Sequence, residues 1–501
     1  MNNINRSTSP QTLTTEKAHY RWPLIPLSVL IILVSFLLFY YYTLSLTPYG
    51  NFPASSKILK SKSSRCSSQA LALGEKFLWY APHSGFGNQL LEFKNAILMA
   101  GILNRTLIVP PILDHHAVAL GSCPKFRVLD PTELRISVWD HMIELIQGGR
   151  YISIAEIIDI SPLVSSSLVR VIDLRDFVSI WCGISLDLAC LSDSKVQSSF
   201  NFRQKQCGSL LAGVHGSVDN CLYAVNEDCR TTVWTHHSGS EDGMLDSFQP
   251  DEQLKKKKNV TYIRRHRDVF KTLGPGSGAE SSSLLAFGSL FTAPYKGSEL
   301  YIDIHEPVQD QRIQSLMEKT KFLPFVSEIV SAGREFANAT IKAPFLCAQL
   351  RLLDGQFKNH RKAAFHGLKQ KLEYLQQKGP LPIHIFLMTD LPGENWADTY
   401  LGDLISDSLH YKVYFLREDD ELVRQASKRL KEAGYEQRFI PYSDKAADKK
   451  YCLNQKLPDV LLYVEQTVCS CAALGFVGTA GSTISENIEL LRKFGLCSGQ
   501  S

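Results

Sequence analysis

Three short segments of the chain combine residues suited to holding an anion. The first is Ser84-Gly85-Phe86-Gly87-Asn88-Gln89. It lies between an apolar, strand-like run and a helix-like run. Backbone N–H groups would sit unpaired at that helix start, where the helix dipole favours negative charge. The glycines would let a ligand approach the backbone closely. The second segment is Gln349-Leu350-Arg351, at the end of the apolar run Phe345–Leu350. An arginine at the carboxyl end of a strand can clamp a phosphate in bidentate fashion. The third runs from Leu474 to Glu486, LGFVGTAGSTISE, again an apolar strand, a glycine turn and a hydroxyl-rich helix start. Its hydroxyls and N–H groups could hold phosphate or ribose. Each segment also has a plainer reading: a packing turn, a surface ion pair, and a helix N-cap at Ser482 or Thr483. Three anion-suited elements at strand ends say more than any one of them.

Several ligands are disfavoured. A dinucleotide fingerprint wants a third glycine at position 90, which is Leu90, and an acid about 20 residues on. The nearest strand-end acid, Asp114, lies farther along. No Lys-Ser or Lys-Thr pair follows the glycines, so the loop is not a P-loop. The chain has no Asp-x-Asp pair of the kind that holds a divalent ion against a nucleotide diphosphate. His115 and His116 are adjacent and so do not share a face. No metal site is expected. No nucleophile-elbow motif supports a hydrolase.

The elements that must position these segments follow from periodicity. Lys76–Tyr80 and Thr106–Val109 read as strands flanking a helix over Asn88–Leu103, a βαβ unit with a parallel pair. From about residue 335 the alternation returns. Strands are expected at Phe345–Leu350, Ile383–Met388, Lys412–Leu416 and Leu474–Val477. Helices are expected at Ala363–Gln377, Asp419–Ala433, Pro458–Cys471 and Ser482–Lys493. Residues 131–290 are harder to read. An α/β fold with two doubly wound domains follows, with ligands at the carboxyl ends of the strands.

At 501 residues the chain exceeds one core, so two domains are expected. A net charge of +4 and the lack of any recognisable binding motif argue against a nucleic-acid partner. Trp22–Leu44 carries no charge, is long enough to span a bilayer, and ends in Tyr40, Tyr41 and Tyr42. It reads as an uncleaved anchor, with Lys17 and Arg21 favouring a cytoplasmic N-terminus. All twelve cysteines follow it, as do sequons at Asn104, Asn259 and Asn338. That suits a lumenal, oxidising compartment. Cys182, Cys190, Cys207, Cys221 and Cys229 cluster like a disulfide-stapled subregion, with no pair assignable. The expected organisation is a tail over 1–21, an anchor over 22–44 and a stem over 45–75. Two Rossmann-like domains follow, over 76–335 and 336–501. The first carries an insertion around 238–283, whose Lys255–Lys258 and Arg264–Arg267 read as a solvated loop or as a basic lip.

A family resemblance rests on particular residues. Gly85-Phe86-Gly87-Asn88-Gln89, Leu103-Asn104-Arg105-Thr106-Leu107 and Val109-Pro110-Pro111 resemble the opening of GDP-fucose protein O-fucosyltransferases. Leu285-Ala286-Phe287-Gly288, Gln349-Leu350-Arg351 and the run Phe476–Ser485 resemble later segments, in a divergent, plant-type branch. The resemblance implies a GT-B fold, two Rossmann-like domains facing a cleft. It also implies GDP-fucose as donor, a protein or glycan hydroxyl as acceptor, inversion at the sugar carbon, and no essential metal. With the anchor it implies a single-pass type II protein of the Golgi or endoplasmic reticulum membrane. By the same resemblance Gly85, Phe86, Gly87 and Asn88 contact the donor. Gln349 and Arg351 meet the diphosphate, with Arg351 and Asn88 catalytic, and Ser482, Thr483 and Ile484 meet the nucleotide end. Three departures stand out: Gln349 for the family's histidine, Gly85 for an arginine of some members, and Leu474 for an acid that would meet the guanine. They keep two alternatives open, an inactive lumenal carbohydrate-binding or scaffold protein, and a transferase using GDP-mannose or UDP-rhamnose. Asp354 and His83 are the nearest candidates for a general base.

Overall fold

The computed structural model describes residues 74–113, 131–186, 194–214, 221–228, 233–237, 244–245, 270, 273–290, 310–353, 357–433, 457, 459–495 and 497. The tail, the membrane-anchor segment, residues 45–73 of the stem, both basic clusters of the insertion, Asp114–His116, Asn259 and Asp354 lie outside them. Among the described residues no helix is long and apolar enough to cross a membrane.

The first unit is the expected one. β1 (Phe77–Trp79), α1 (Phe86–Leu103) and β2 (Thr106–Val109) form strand, helix and strand, and β1 pairs with β2 in parallel. The helix starts at Phe86 rather than Asn88. A glycine in the first turn costs little, and Phe86 is drawn into the core. The region that periodicity left unread holds α2 (Pro131–Gln147), β3 (Arg170–Asp173), α3 (Leu174–Cys182), α4 (Ser194–Ala212), β4 (Cys221–Asp228), β5 (Val233–His237), β6 (Met244–Leu245) and β7 (Leu284–Ala286). These strands complete a sheet of order β3-β2-β1-β7-β4-β5-β6, parallel from β3 to β4 and antiparallel at its β5–β6 edge.

After α5 (Gln311–Lys321) and α6 (Ser327–Glu335), a second sheet is built from β8 (Phe345–Leu350), α7 (Phe357–Lys378), β9 (Ile383–Thr389), β10 (Tyr411–Tyr414), α8 (Glu421–Ala433), α9 (Val460–Ser470), β11 (Gly475–Gly478) and α10 (Thr483–Lys493). Its order is β10-β9-β8-β11, and every pair is parallel. Parallel strands buried on both faces read as continuous apolar runs, which is why β8 was legible to the residue.

The strands' two-residue period sorts the core into layers. Phe77 and Trp79 face one apolar layer, with α2 and α3, while Leu78 faces the layer under α1. In β8, Phe345 and Cys347 face that same layer, while Leu346, Ala348 and Leu350 face a third. One continuous core therefore joins the two sheets, and the described residues all belong to one compact unit, Lys62–Ser501. Aromatic rings bridge it: Phe86 lies 4.6 Å from Tyr463, and Phe322 stacks on Phe494 at 4.4 Å. Disulfides join Cys182 to Cys207, Cys347 to Cys469 and Cys471 to Cys497. The first lies in the expected stapled subregion. The second ties β8 to α9.

Glu465 on α9 gives this core a pH dependence. Burial pushes its carboxyl up to about 8. The folded chain thus holds a proton that the unfolded chain releases near the usual glutamate value of about 4.3. Its stabilising contribution is complete below that value and falls as pH rises toward about 8. Denaturant midpoints should therefore fall between about pH 5 and about pH 8. The Glu465→Gln variant should lose that part of the slope.

Candidate functional site

All three anion-suited segments sit at carboxyl ends of parallel strands. After β1 the chain turns through Ser84, which takes a left-handed φ of 63°. Gly85 caps α1 without any side-chain hydrogen bond, and no acidic residue occupies the first turn. The N–H groups of Asn88 and Gln89 donate to the Gly85 carbonyl, at 2.9 and 3.1 Å. Those of Phe86 and Gly87 have no acceptor among the described residues. Gln89 fixes the turn: its Nε2 donates to the Ser84 carbonyl at 2.7 Å and the Leu113 carbonyl at 2.8 Å, and its Oε1 accepts from the Leu113 N–H at 3.0 Å. The loop is thereby locked to the chain just past β2. Asn88 is half-buried beside it.

Phe86 departs from the expected donor contact. Its side chain is buried against Phe325 and Tyr463, so it anchors the loop from below. Its backbone N–H is what remains at the turn.

Arg351 follows β8. Its N–H donates to Thr479 Oγ1 at 2.8 Å, and its guanidinium lies 4.8 Å from the centre of the Phe357 ring. The next two N–H groups, of Leu352 and Leu353, donate to the Asp390 carboxylate at 2.7 and 3.1 Å. Asp390 stands at the end of β9, so two neighbouring strands together fix the direction of the Arg351 turn.

The third segment meets both others. At Gly87 an added Cβ would lie 2.3 Å from Thr483 Oγ1, so only glycine admits this approach of α10 to α1. Ser482 holds the N-cap position of α10, yet its side chain makes no capping bond. Its hydroxyl is buried and without a partner among the described residues. A buried hydroxyl left so costs about 1–3 kcal/mol unless a ligand or water supplies the bond. Ile484 is partly buried against the shared core. The carboxyl edges of the two sheets thus meet at Gly87 and Thr483, with Arg351 one strand away.

Gln349, expected at the diphosphate, is placed differently. It is buried, and its Oε1 accepts from the Ser485 hydroxyl and, at 3.4 Å, from the Thr479 N–H. It ties β8 to the turn before α10, a role that its neighbours Thr479 and Ser485 define. Gly478 permits this, because a Cβ there would lie 2.7 Å from Ser485 Oγ. Replacing Gln349 by leucine should leave the Ser485 hydroxyl and the Thr479 N–H only the main-chain carbonyls of Thr479 and Gln349 as acceptors, at 3.2 and 3.1 Å, and cost about 1 kcal/mol in denaturant unfolding. Gln349→Glu, which keeps an acceptor, should cost less.

Leu474 also departs from expectation. It precedes β11, at the end of the strand opposite the Gly478 turn, and packs in the third apolar layer. An acid is not missing from the site at that position. Among the described residues, no three of His, Cys, Asp and Glu group to hold a metal. Asn104 is exposed at the left-handed C-cap of α1, while Arg105 beside it is buried and donates to the Ser282 and Ala279 carbonyls, each at 2.8 Å.

No protein-family profile matches the chain. It is 59% identical over 478 residues, 94% of each protein, to O-fucosyltransferase 30 of Arabidopsis thaliana. Among solved structures, POFUT1 in complex with GDP-fucose is 12% identical, with 84% of this chain and 94% of that chain covered and a TM-score of 0.36. The fucosyltransferase NodZ from Bradyrhizobium is 11% identical, with 83% and 93% covered and a TM-score of 0.31.

Proposed function

The chain belongs to the O-fucosyltransferase family, and on that premise we propose that it transfers fucose from GDP-fucose to a protein or glycan hydroxyl. The observation that supports this best is the close approach of Thr483 to Gly87, which sets two glycine turns of two parallel sheets against each other. A nucleoside diphosphate sugar suits such a seam. Its diphosphate would lie against the N–H groups of Phe86 and Gly87 and the Arg351 guanidinium. The nucleotide end would take the Ser482 hydroxyl and the start of α10. Gly85 leaves the backbone open, and Asn88 offers an amide to the sugar side.

The chemistry is displacement at the sugar carbon with inversion. As the glycosidic bond breaks, negative charge grows on GDP. Preorganised donors aimed at that charge stabilise the transition state more than the ground state. Arg351 supplies the one full positive charge of this set, so it carries most of the neutralisation in a reaction that uses no metal. The two sheets are read as the halves of a GT-B fold. The segment Trp22–Leu44 is read as a type II anchor that holds the catalytic part in the lumen of the Golgi or endoplasmic reticulum.

The test is a donor panel with the purified chain. Release of free nucleotide from GDP-fucose, GDP-mannose and UDP-rhamnose is followed with and without a chelator. Preferential turnover of GDP-fucose, unaffected by chelator, is the expected result. Turnover of none, with no binding, would leave the inactive carbohydrate-binding alternative.

A further inference from the structure

Beneath the Ser84–Gly85 turn lies a buried polar cluster that the transfer described above leaves unused. Glu92 on α1 is fully buried, and His83 and Ser289 are nearly so. The His83 N–H donates to Glu92 Oε2 at 3.0 Å. The Ser289 hydroxyl donates to Glu92 Oε1 at 3.0 Å. His83 Nε2 lies 2.9 Å from the same Oε1 and 2.7 Å from Ser289 Oγ. His83 Nδ1 lies 2.9 Å from Ser84 Oγ.

A relay through this cluster requires one tautomer of the imidazole. In it Nε2 carries the proton and faces Glu92 Oε1 and Ser289 Oγ, while the Ser289 hydroxyl donates to Glu92. Nδ1 is then the lone-pair nitrogen, and it accepts from the Ser84 hydroxyl. Among the described residues Ser84, half-buried in a left-handed conformation, is the outermost member of the series. A hydroxyl bonded to a neutral imidazole that is itself oriented by a carboxylate is arranged to pass a proton inward.

We propose that Ser84, His83 and Glu92 form the proton relay that serves as general base for the transfer, with Ser289 as a positioning residue. This rests on the fucosyl-transfer reading. The acceptor hydroxyl bonds to Ser84 Oγ. As its oxygen forms the new bond to the sugar carbon and the bond to GDP breaks, its proton passes to Ser84 Oγ. Ser84 gives its own proton to His83 Nδ1. The imidazolium so formed is held by Glu92, and it loses the proton to solvent after product release. Among the described residues, the titratable neighbours of the cluster are Glu92 from α1 and Tyr80 from the end of β1. Burial, and then Glu92, hold the Tyr80 phenol well above its usual value.

Two measurements on the full chain test this. In the first, hydrolysis of GDP-fucose, with water as acceptor, is compared for wild type, His83→Gln and Ser84→Ala, beside GDP-fucose binding. Both variants should bind the donor normally and turn over on the order of 10²-fold more slowly. The acid limb of the wild-type pH–rate profile should vanish in His83→Gln. Unchanged turnover, or loss of donor binding in both variants, overturns the relay. In the second, long-range ¹H–¹⁵N spectra of histidine-labelled chain, with the signal assigned by its loss in His83→Gln, report the tautomer without any substrate. A proton on Nε2 with Nδ1 bare is expected, and a neutral ring protonated on Nδ1 overturns the relay. Wild type that neither binds nor turns over GDP-fucose would sink the transfer reading instead, while the tautomer still decides the geometry claimed here.

Discussion

Replacing Arg351 by alanine is expected to lower turnover of GDP-fucose by on the order of 10³-fold, with a smaller loss in donor affinity. The asymmetry follows from when the charge appears. The diphosphate of bound donor already bears charge, but the leaving group gains more as the bond to the sugar breaks. A preorganised cation is therefore worth more in the transition state than in the bound state. The preorganisation is visible: the Arg351 N–H is held by Thr479, the two N–H groups after it by Asp390, and the guanidinium lies against Phe357. Arg351→Lys should recover only part of the loss, because an ammonium cannot make the planar, two-pronged contact. Asp390→Asn, which weakens the hold on the turn without removing the charge, should fall between wild type and Arg351→Ala. Steady-state rates for the four proteins decide it. Equal rates in wild type and Arg351→Ala would remove Arg351 from the mechanism.

The largest effect on stability is expected at Phe86. Its ring is 3% exposed, stacks on Phe325 at 6.0 Å and tilts onto Tyr463 at 4.6 Å. Truncating so buried an aromatic removes its transfer free energy and leaves a cavity, together about 3–5 kcal/mol. Phe86→Leu should cost much less, since most of the volume stays. Because Phe86 is the first residue of α1, the same change should loosen the turn that carries Gly85 and Gly87. Urea unfolding measures the first effect. GDP-fucose affinity, measured well below the transition, should fall for Phe86→Ala beyond what the unfolded fraction explains. A loss under about 1 kcal/mol would mean the ring is not the anchor described here.

How much of this was legible beforehand varied with the kind of information. The strands of the second sheet were, because each is a short apolar run bounded by turn residues, and β8 matched at both ends. The sheet-forming part of residues 131–290 was not. Its strands are joined through segments without a clear period, and β4, β5 and β6 pair in ways only the assembled sheet defines. The three anion-suited segments were found from local chemistry alone. Their roles were less visible, because roles depend on neighbours distant in sequence. Gln349 reads as a ligand contact from its place at the end of an apolar strand, yet Ser485 and Thr479 claim its side-chain oxygen. Phe86 looked like part of a binding loop, yet its side chain belongs to the core. Leu474 looked like a lost acid and lies at the other end of its strand. Gly87 read as room for a ligand to approach the backbone, whereas Thr483 is what requires it to lack a side chain. His83 carried a hint as a possible base, but Glu92, one of several polar residues in its helix, gave none.

The seam between Gly87 and Thr483 is tested most directly by calorimetric titration of GDP-fucose into the purified chain, without added metal. Wild type, Gly87→Val and Arg351→Ala are compared in parallel. Wild type should bind one equivalent with saturation. Gly87→Val should lose binding, because its side chain must displace Thr483 and the start of α10. Arg351→Ala should bind more weakly and turn over far more slowly. No binding by wild type, or equal binding by all three proteins, would contradict a nucleotide-sugar site at this seam.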